Sequence, residues 1–284
     1  MTKPKNDTNR KKRMKRKLLP LFAPLILSPV ATSTNLSAAN IKTKISTKKL
    51  KTSTADTKVM EFDTIACNVY QQMDLREEGL QYEIFNKALT GYYNLRKEGK
   101  LGEKPYITIV DFTKSSTEKR LWVIDVEGQE VLHNTYVSHG RNSGVEFAEN
   151  FSNDKESFMS SIGFYVTQDT YHGKHGLSLK LDGVDEGFNS NAMDRCIVIH
   201  GAEYANESII EQTGRLGRSL GCPALPMDDY EDVIDTVEGG TVLFVHAAND
   251  VYTSDYLDHA SAMAELVKEQ NEEIKATANE LAKE

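Results

Sequence analysis

Tyr106-Ile-Thr-Ile-Val-Asp-Phe112, Leu121-Trp-Val-Ile-Asp-Val126 and Val131-Leu-His-Asn-Thr-Tyr-Val137 follow one another closely and set the fold class. Each is a short run of β-branched, aliphatic and aromatic residues, the pattern of strands, and the turn at Gly128-Gln129 makes the last two a hairpin. Further strands are predicted at Gly163 to Thr167, Leu177 to Leu181, Cys196 to His200 and Thr241 to His246. The loops between them are long and rich in Gly, Ser and Asn, which is uncommon unless they cover a site. Two short helices fit between the later strands, Glu207 to Gln212 stopped by Gly214 and Asp228 to Val237 stopped by Gly239.

Upstream, apolar residues recur at helical spacing in two stripes: Phe62, Ile65, Ala66, Val69 and Met73, then after Gly79 Leu80, Ile84, Phe85, Ala88, Leu89, Tyr92 and Leu95. Two amphipathic helices follow, packed on each other and on the strands behind them. Beyond Asp250 the chain is rich in Ala, Glu and Lys and reads as an acidic helix whose apolar positions Met263, Leu266, Val267 and Ile274 could dock weakly or pair with a partner, a solvated helix being the preferred reading. The class is α+β, with strands dominant. The expected divisions are 1–39, a linker at 40–58, a helical segment at 59–104, the strand-rich domain at 105–248 and the acidic tail at 249–284.

The first 39 residues are read separately. A basic run from Arg10 to Lys17 precedes an apolar stretch from Leu18 to Val30, and small residues follow at Ser37, Ala38 and Ala39, the layout of an export signal cut after Ala39. Pro20, Pro24 and Pro29 break the apolar run, which is shorter than the roughly 20 residues of a spanning helix, so no stable membrane anchor is expected. The location implied is the periplasm or cell envelope. Residues 40–58 are Lys, Ser and Thr without period, a composition that does not order itself. The 284-residue chain carries a net charge of −8, and residues 1–39 hold nine Lys or Arg against Asp7, so their removal would take it to −16. Such a chain does not bind nucleic acid by bulk charge. Three cysteines, Cys67, Cys196 and Cys222, are an odd number for an oxidising compartment and leave at least one thiol in need of a reason. Cys67 on a helix and Cys196 in a strand read as small buried hydrophobes.

The chemistry concentrates between Ile197 and Leu225. An apolar strand ends in His200-Gly201, and twenty-two positions after the histidine Cys222 stands in Gly214-Arg-Leu-Gly-Arg-Ser-Leu-Gly-Cys-Pro223. A free thiol titrates near ~8.5, so an acylated cysteine needs a base or cation to hold it as thiolate. A histidine at a strand end can serve, with a backbone carbonyl such as that of Gly201 fixing its tautomer. Gly221 permits a tight turn, and the N–H groups of Leu220, Gly221 and Cys222 are the expected oxyanion donors, since Pro223 has none.

The order His200-Gly201, loop, Ser219-Leu-Gly-Cys222 resembles the motif of the YkuD-type L,D-transpeptidases. Asp111-Phe112, Ser116-Thr-Glu-Lys-Arg-Leu-Trp-Val-Ile-Asp125, His139-Gly-Arg-Asn-Ser-Gly144, Gly173-Lys-His-Gly-Leu-Ser178 and Gly217-Arg-Ser-Leu-Gly-Cys222 look like the murein L,D-transpeptidase catalytic domain subgroup, from about Pro105 to His246. The resemblance implies a β-sandwich with the cysteine loop in a cleft under a flap, Cys222 as nucleophile, His200 as base, Gly201 as the orienting carbonyl and Ser219 shaping the turn. It implies peptidoglycan stem peptides as substrate, an amine or water as acceptor, and neither cofactor nor metal. Leu220 replaces the family's usual histidine, which favours hydrolysis if that histidine helps acceptor binding. Pro223-Ala224 also departs from the common pattern.

Arg218 and Arg215 are candidate grips for a substrate carboxylate, with surface charge balance as the equal alternative. His139 and His175, in Gly-flanked loops, are candidates for substrate contact; their spacings to His200 follow no metal-ligand pattern. His133, His246 and Trp122 read as packing residues. Two other functions compete with L,D-transpeptidation: L,D-carboxypeptidation at the same site, and a catalytically silent wall-binding domain, against which intact His200, Gly221 and Cys222 argue. A papain- or NlpC-type peptidase places its cysteine before its histidine, the reverse of the order here.

Overall fold

The hairpin about Gly128-Gln129 is formed by β2 (Leu121–Asp125) and β3 (Glu130–Thr135), with Gln129 at φ +51° in the turn. The computed structural model describes residues 54–281. The expected export signal and the linker as far as residue 53 lie outside the described residues, and the linker's last five residues belong to the first helix. The chain order is α1 (Thr54–Gln72), α2 (Tyr82–Lys97), β1 (Tyr106–Asp111), β2, β3, β4 (Gly163–Gly173), β5 (Gly176–Gly183), β6 (Val198–Gly201), α3 (Glu207–Thr213), β7 (Ala224–Leu225), α4 (Tyr230–Val237), β8 (Val242–His246) and α5 (His259–Leu281).

The eight strands of the described residues join one mixed sheet in the order β3-β2-β1-β8-β4-β5-β6-β7, with β1/β8 and β6/β7 parallel and the other pairs antiparallel. The chain just past β3 returns to the far edge, where Ser138 bridges Ala224 of β7, so the sheet curls towards closure into a near-barrel sandwich. This is the expected α+β fold, a sandwich domain preceded by two helices and followed by a third.

Alternation along the strands sorts the core into two layers. Val110, Leu121, Val123, Tyr165, Leu179, Leu181, Ile199, Leu243 and Val245 face inward, where Val233, Ile234 and Val237 of α4 close the interior. On the other face α2 lies against β1 and β8, and α5 covers α1 and α2. The approach of α2 is close enough that a Cβ on Gly91 would come within 2.1 Å of the Phe164 ring, which itself stacks on Phe244 at 4.4 Å. Trp122 is fully buried and donates its indole N–H to Glu78 O at 2.9 Å.

Two expectations change. The tail helix is docked over its first turns: Ala262, Met263 and Leu266 are buried, Asn94 holds the preceding carbonyls of Tyr256 and Asp258, and Arg96 pairs with Glu269. Only its later part, with Ile274 and Leu281, is exposed. Cys196 lies outside β6 at φ +54° and is exposed, and all three cysteines are free thiols.

Candidate active site

β6 and β7 bring the two ends of the motif together. His200 pairs with Ala224 and Gly201 with Leu225 in parallel register, and Cys222 leads directly into β7. Cys222 sits in the bend two residues ahead of Ala224, the residue that pairs with His200, and packs against the cluster that holds Ile199 and Leu225. The Val198 N–H points at the sulfur, and the thiol itself is 3.7 Å from Cys196 O.

The loop ahead of Cys222 is built around Ser219. Its Oγ accepts from Gly221 N at 3.0 Å and donates to Cys222 O at 2.6 Å, closing the turn from both sides. Ser219 N donates to His139 O, and Ser219 O accepts from Arg141 N. Gly221 has φ +125°, and a Cβ there would sit 2.8 Å from Met159 O, so conformation and space both require glycine. The geometry also revises the expected oxyanion donors. Gly221 N–H is committed to Ser219, whereas the N–H groups of Leu220 and Cys222 have no acceptor among the described residues.

His200 is 3% exposed, and its Nδ1 meets Gly201 O at 2.9 Å. A carbonyl can only accept, so Nδ1 carries the proton and Nε2 is left as a base. The Tyr230 ring lies flat on Gly201, where a Cβ would clash at 2.6 Å, which explains the glycine after the histidine. Burial lowers the affinity of His200 for a proton, and the neighbouring His175 and Lys174 add to this against the Gly201 hydrogen bond. Burial likewise pushes the Cys222 thiol up, partly offset by the Val198 N–H and by the cations Arg195 and Lys174. Both shifts favour a neutral thiol and a neutral imidazole at rest, not the standing thiolate that sequence reasoning assumed.

The other sequence candidates fall in different places. His139 is 1% exposed and is not a surface for substrate: Arg120 Nη2 donates to its Nδ1 at 2.9 Å, and burial together with that guanidinium holds its pKa near about 3. Arg218 points Nη1 at Arg141 O and Gly144 O, tying that loop to the cysteine loop. Arg215 Nη1 donates to Leu216 O at 2.6 Å. Leu220 is 54% exposed, two residues ahead of Cys222. Among the described residues no cluster of His, Cys, Asp and Glu has the arrangement to hold a metal ion, and no helix is long and apolar enough to cross a membrane.

Arg195 was not singled out by sequence. Its guanidinium reaches Ser152 O, Ser161 Oγ, Ser157 Oγ and Met159 O, strapping residues 152–161 behind Gly221, and it is the first cation acting on Cys222. Its position beside the strand that leads to His200 was the available signal. Arg195→Gln is expected to cost about 1–3 kcal/mol through lost charged hydrogen bonds, read as a lower denaturation midpoint. It should also move the alkylation of Cys222 to higher pH, and an unchanged alkylation profile would leave Arg195 a purely structural strap.

Solved structures similar to this chain include an L,D-transpeptidase from Mycobacterium smegmatis (15% identity, TM-score 0.32, covering 50% of this chain and 59% of that one). The L,D-transpeptidase LdtMt1 in complex with imipenem matches at 15% identity and TM-score 0.31, over 50% and 59%. The helical cell shape determining protein Pgp2 of Campylobacter jejuni matches at 14% identity and TM-score 0.38, over 64% and 63%. The chain thus spans about three fifths of the length of these relatives. Among curated proteins no similar sequence was found. The sequence profile of the L,D-transpeptidase catalytic domain matches residues 76–246, more than half of the chain, and the protein belongs to that family.

Proposed function

We propose that the protein is an exported cysteine acyltransferase that acts on peptidoglycan stem peptides, cutting between the third, L-configured residue and the fourth, D-Ala. The observation that carries this reading is the His200 imidazole with Nδ1–H held on Gly201 O and Nε2 left basic, paired in register with Ala224, two residues after Cys222. Sγ attacks the carbonyl carbon as Nε2 takes the thiol proton, and the oxygen that becomes negative meets the N–H groups of Cys222 and Leu220. The C–N bond then breaks, the imidazolium returns the proton to the amine of D-Ala, and a thioester remains on Cys222. An acceptor amine attacks the thioester, loses its proton to His200, and the thiol leaves.

Water in place of the amine makes the product a tripeptide, and exposed Leu220 favours this second reading because it offers an acceptor amine no polar partner. The test is mass spectrometry of products from a defined tetrapeptide muropeptide with and without an amine acceptor. Cross-linked product supports transfer, tripeptide alone supports hydrolysis, and neither, together with no covalent carbapenem adduct on Cys222, would leave a silent domain.

A pH profile follows from the same geometry. The acid limb belongs to His200, which must be neutral to accept the thiol proton, and burial places it below the ordinary 6.5. Activity is expected to persist as pH falls through 6.5 and to drop only at lower values. An acid limb above the ordinary value in kcat/KM would contradict the assignment.

A further inference from the structure

The β4–β5 hairpin reaches beyond the body of the sheet to a tip at Gly173-Lys-His-Gly176, with Gly176 at φ +78°. His175 of this tip is exposed, and its ring stacks on that of His200, the centroids 4.4 Å apart and the planes inclined by 27°. Among the described residues the His175 imidazole makes no hydrogen bond and no ion pair. A polar ring at a hairpin tip is ordinarily solvated, so its seat against a buried imidazole calls for a reason.

His200 supplies one. Its single hydrogen bond, to the carbonyl of the next residue, fixes the position of Nδ1 but leaves the ring free to tilt about that contact. A flat partner against one face removes the tilt. We propose that His175 is a positioning residue for the base: carried on the hairpin tip, its ring backs the His200 imidazole and holds Nε2 in the orientation that faces Cys222. The proposal rests on the reading of His200 as the base of Cys222.

The surroundings of His200 fix the expected pH behaviour. It is faced by His175 and Lys174 from the hairpin tip, by the uncharged Ser178 across β5, by Ala224 of β7, two residues after Cys222, and by the start of α4, where the Tyr230 ring covers Gly201 and its hydroxyl bonds Glu231. A proton on His175 places a second positive charge against His200 and opposes its protonation. Replacing His175 by an uncharged ring should therefore move the acid limb of the reaction upward.

The experiment uses the full chain with His175→Ala, His175→Phe and His200→Ala. Alkylation by iodoacetamide is followed at the Cys222 peptide by mass spectrometry from about pH 5 to 9, spanning the histidine range, so that Cys67 and Cys196 do not interfere. D-Ala release gives kcat and KM. His175→Ala is expected to slow Cys222 alkylation about threefold to tenfold, the worth of a ring stack, and to lower kcat with KM nearly unchanged. His175→Phe should recover most of the rate above neutrality with its acid limb displaced upward. Wild-type rates and acid limb in both His175 variants, with His200→Ala slow, would overturn the proposal alone. An unchanged rate in His200→Ala would overturn the base assignment and the proposal with it.

Discussion

Replacing Cys222 with alanine is expected to remove turnover of stem peptides by on the order of 10³-fold or more, the usual cost of deleting a covalent nucleophile. Nothing in the site substitutes for the sulfur. Cys196 is the neighbouring thiol, but it stands at φ +54° on the surface, ahead of β6 rather than in the Ser219-held turn that presents Cys222. The variant should keep its fold, because the lost group is small and only half buried, and the turn is closed by Ser219 and Gly221 rather than by the thiol. Mass spectrometry of muropeptide products, together with an unchanged thermal midpoint, checks both statements. Turnover that survives in Cys222→Ala would remove the nucleophile assignment.

The second large effect is on stability. Arg120 is fully buried, yet its partners are carbonyls and a histidine: Nε and Nη2 donate to Val137 O, Nη1 to Lys114 O and Nη2 to His139 Nδ1. Burial pulls its pKa down to about 9, so it remains a cation at neutral pH. Arg120→Met keeps much of the volume but leaves these acceptors buried and unpaired. A loss of about 3–5 kcal/mol is expected, or roughly 10 °C in Tm for a domain of this size. Denaturant titration at pH 7 reads it, and a change below 1 kcal/mol would refute the assignment.

Acid should reveal the same contact. His139 is held neutral in the fold, with a pKa near about 3 against an ordinary 6.5. The unfolded chain therefore binds its proton first, and the stability this group contributes is present above 6.5 and lost as pH falls towards 3. Without the Arg120 charge the His139 pKa should rise, so the variant's stability should fall less steeply over that interval.

The strands around the core were legible because their inner and outer neighbours differ chemically. Val110, Val123, Leu179 and Leu243 mark buried layers, and Gly214 ends α3 in the left-handed conformation that glycine supports. The outer half of the β4–β5 hairpin was not legible, since residues 168–172 are polar or exposed and carry no apolar alternation. His139 was read as a substrate contact because it stands in a Gly-flanked loop, and only the fold shows it buried against Arg120, which the sequence did not single out. The Gly221 N–H looked available because the competing Ser219 hydroxyl acts through a local turn that spacing does not encode. The docked start of α5 depends on Asn94, more than 160 residues away in the chain.

The bridge between Ser138 and Ala224 sews the two outermost edges of the sheet together, and the cysteine's loop hangs from that seam. Partners so distant in sequence meet late when a chain folds and part early when it loosens. Heating should therefore act in two stages, with the proposed acyl transfer fading as the seam opens while the interior lined by Leu179 and Leu243 is still closed.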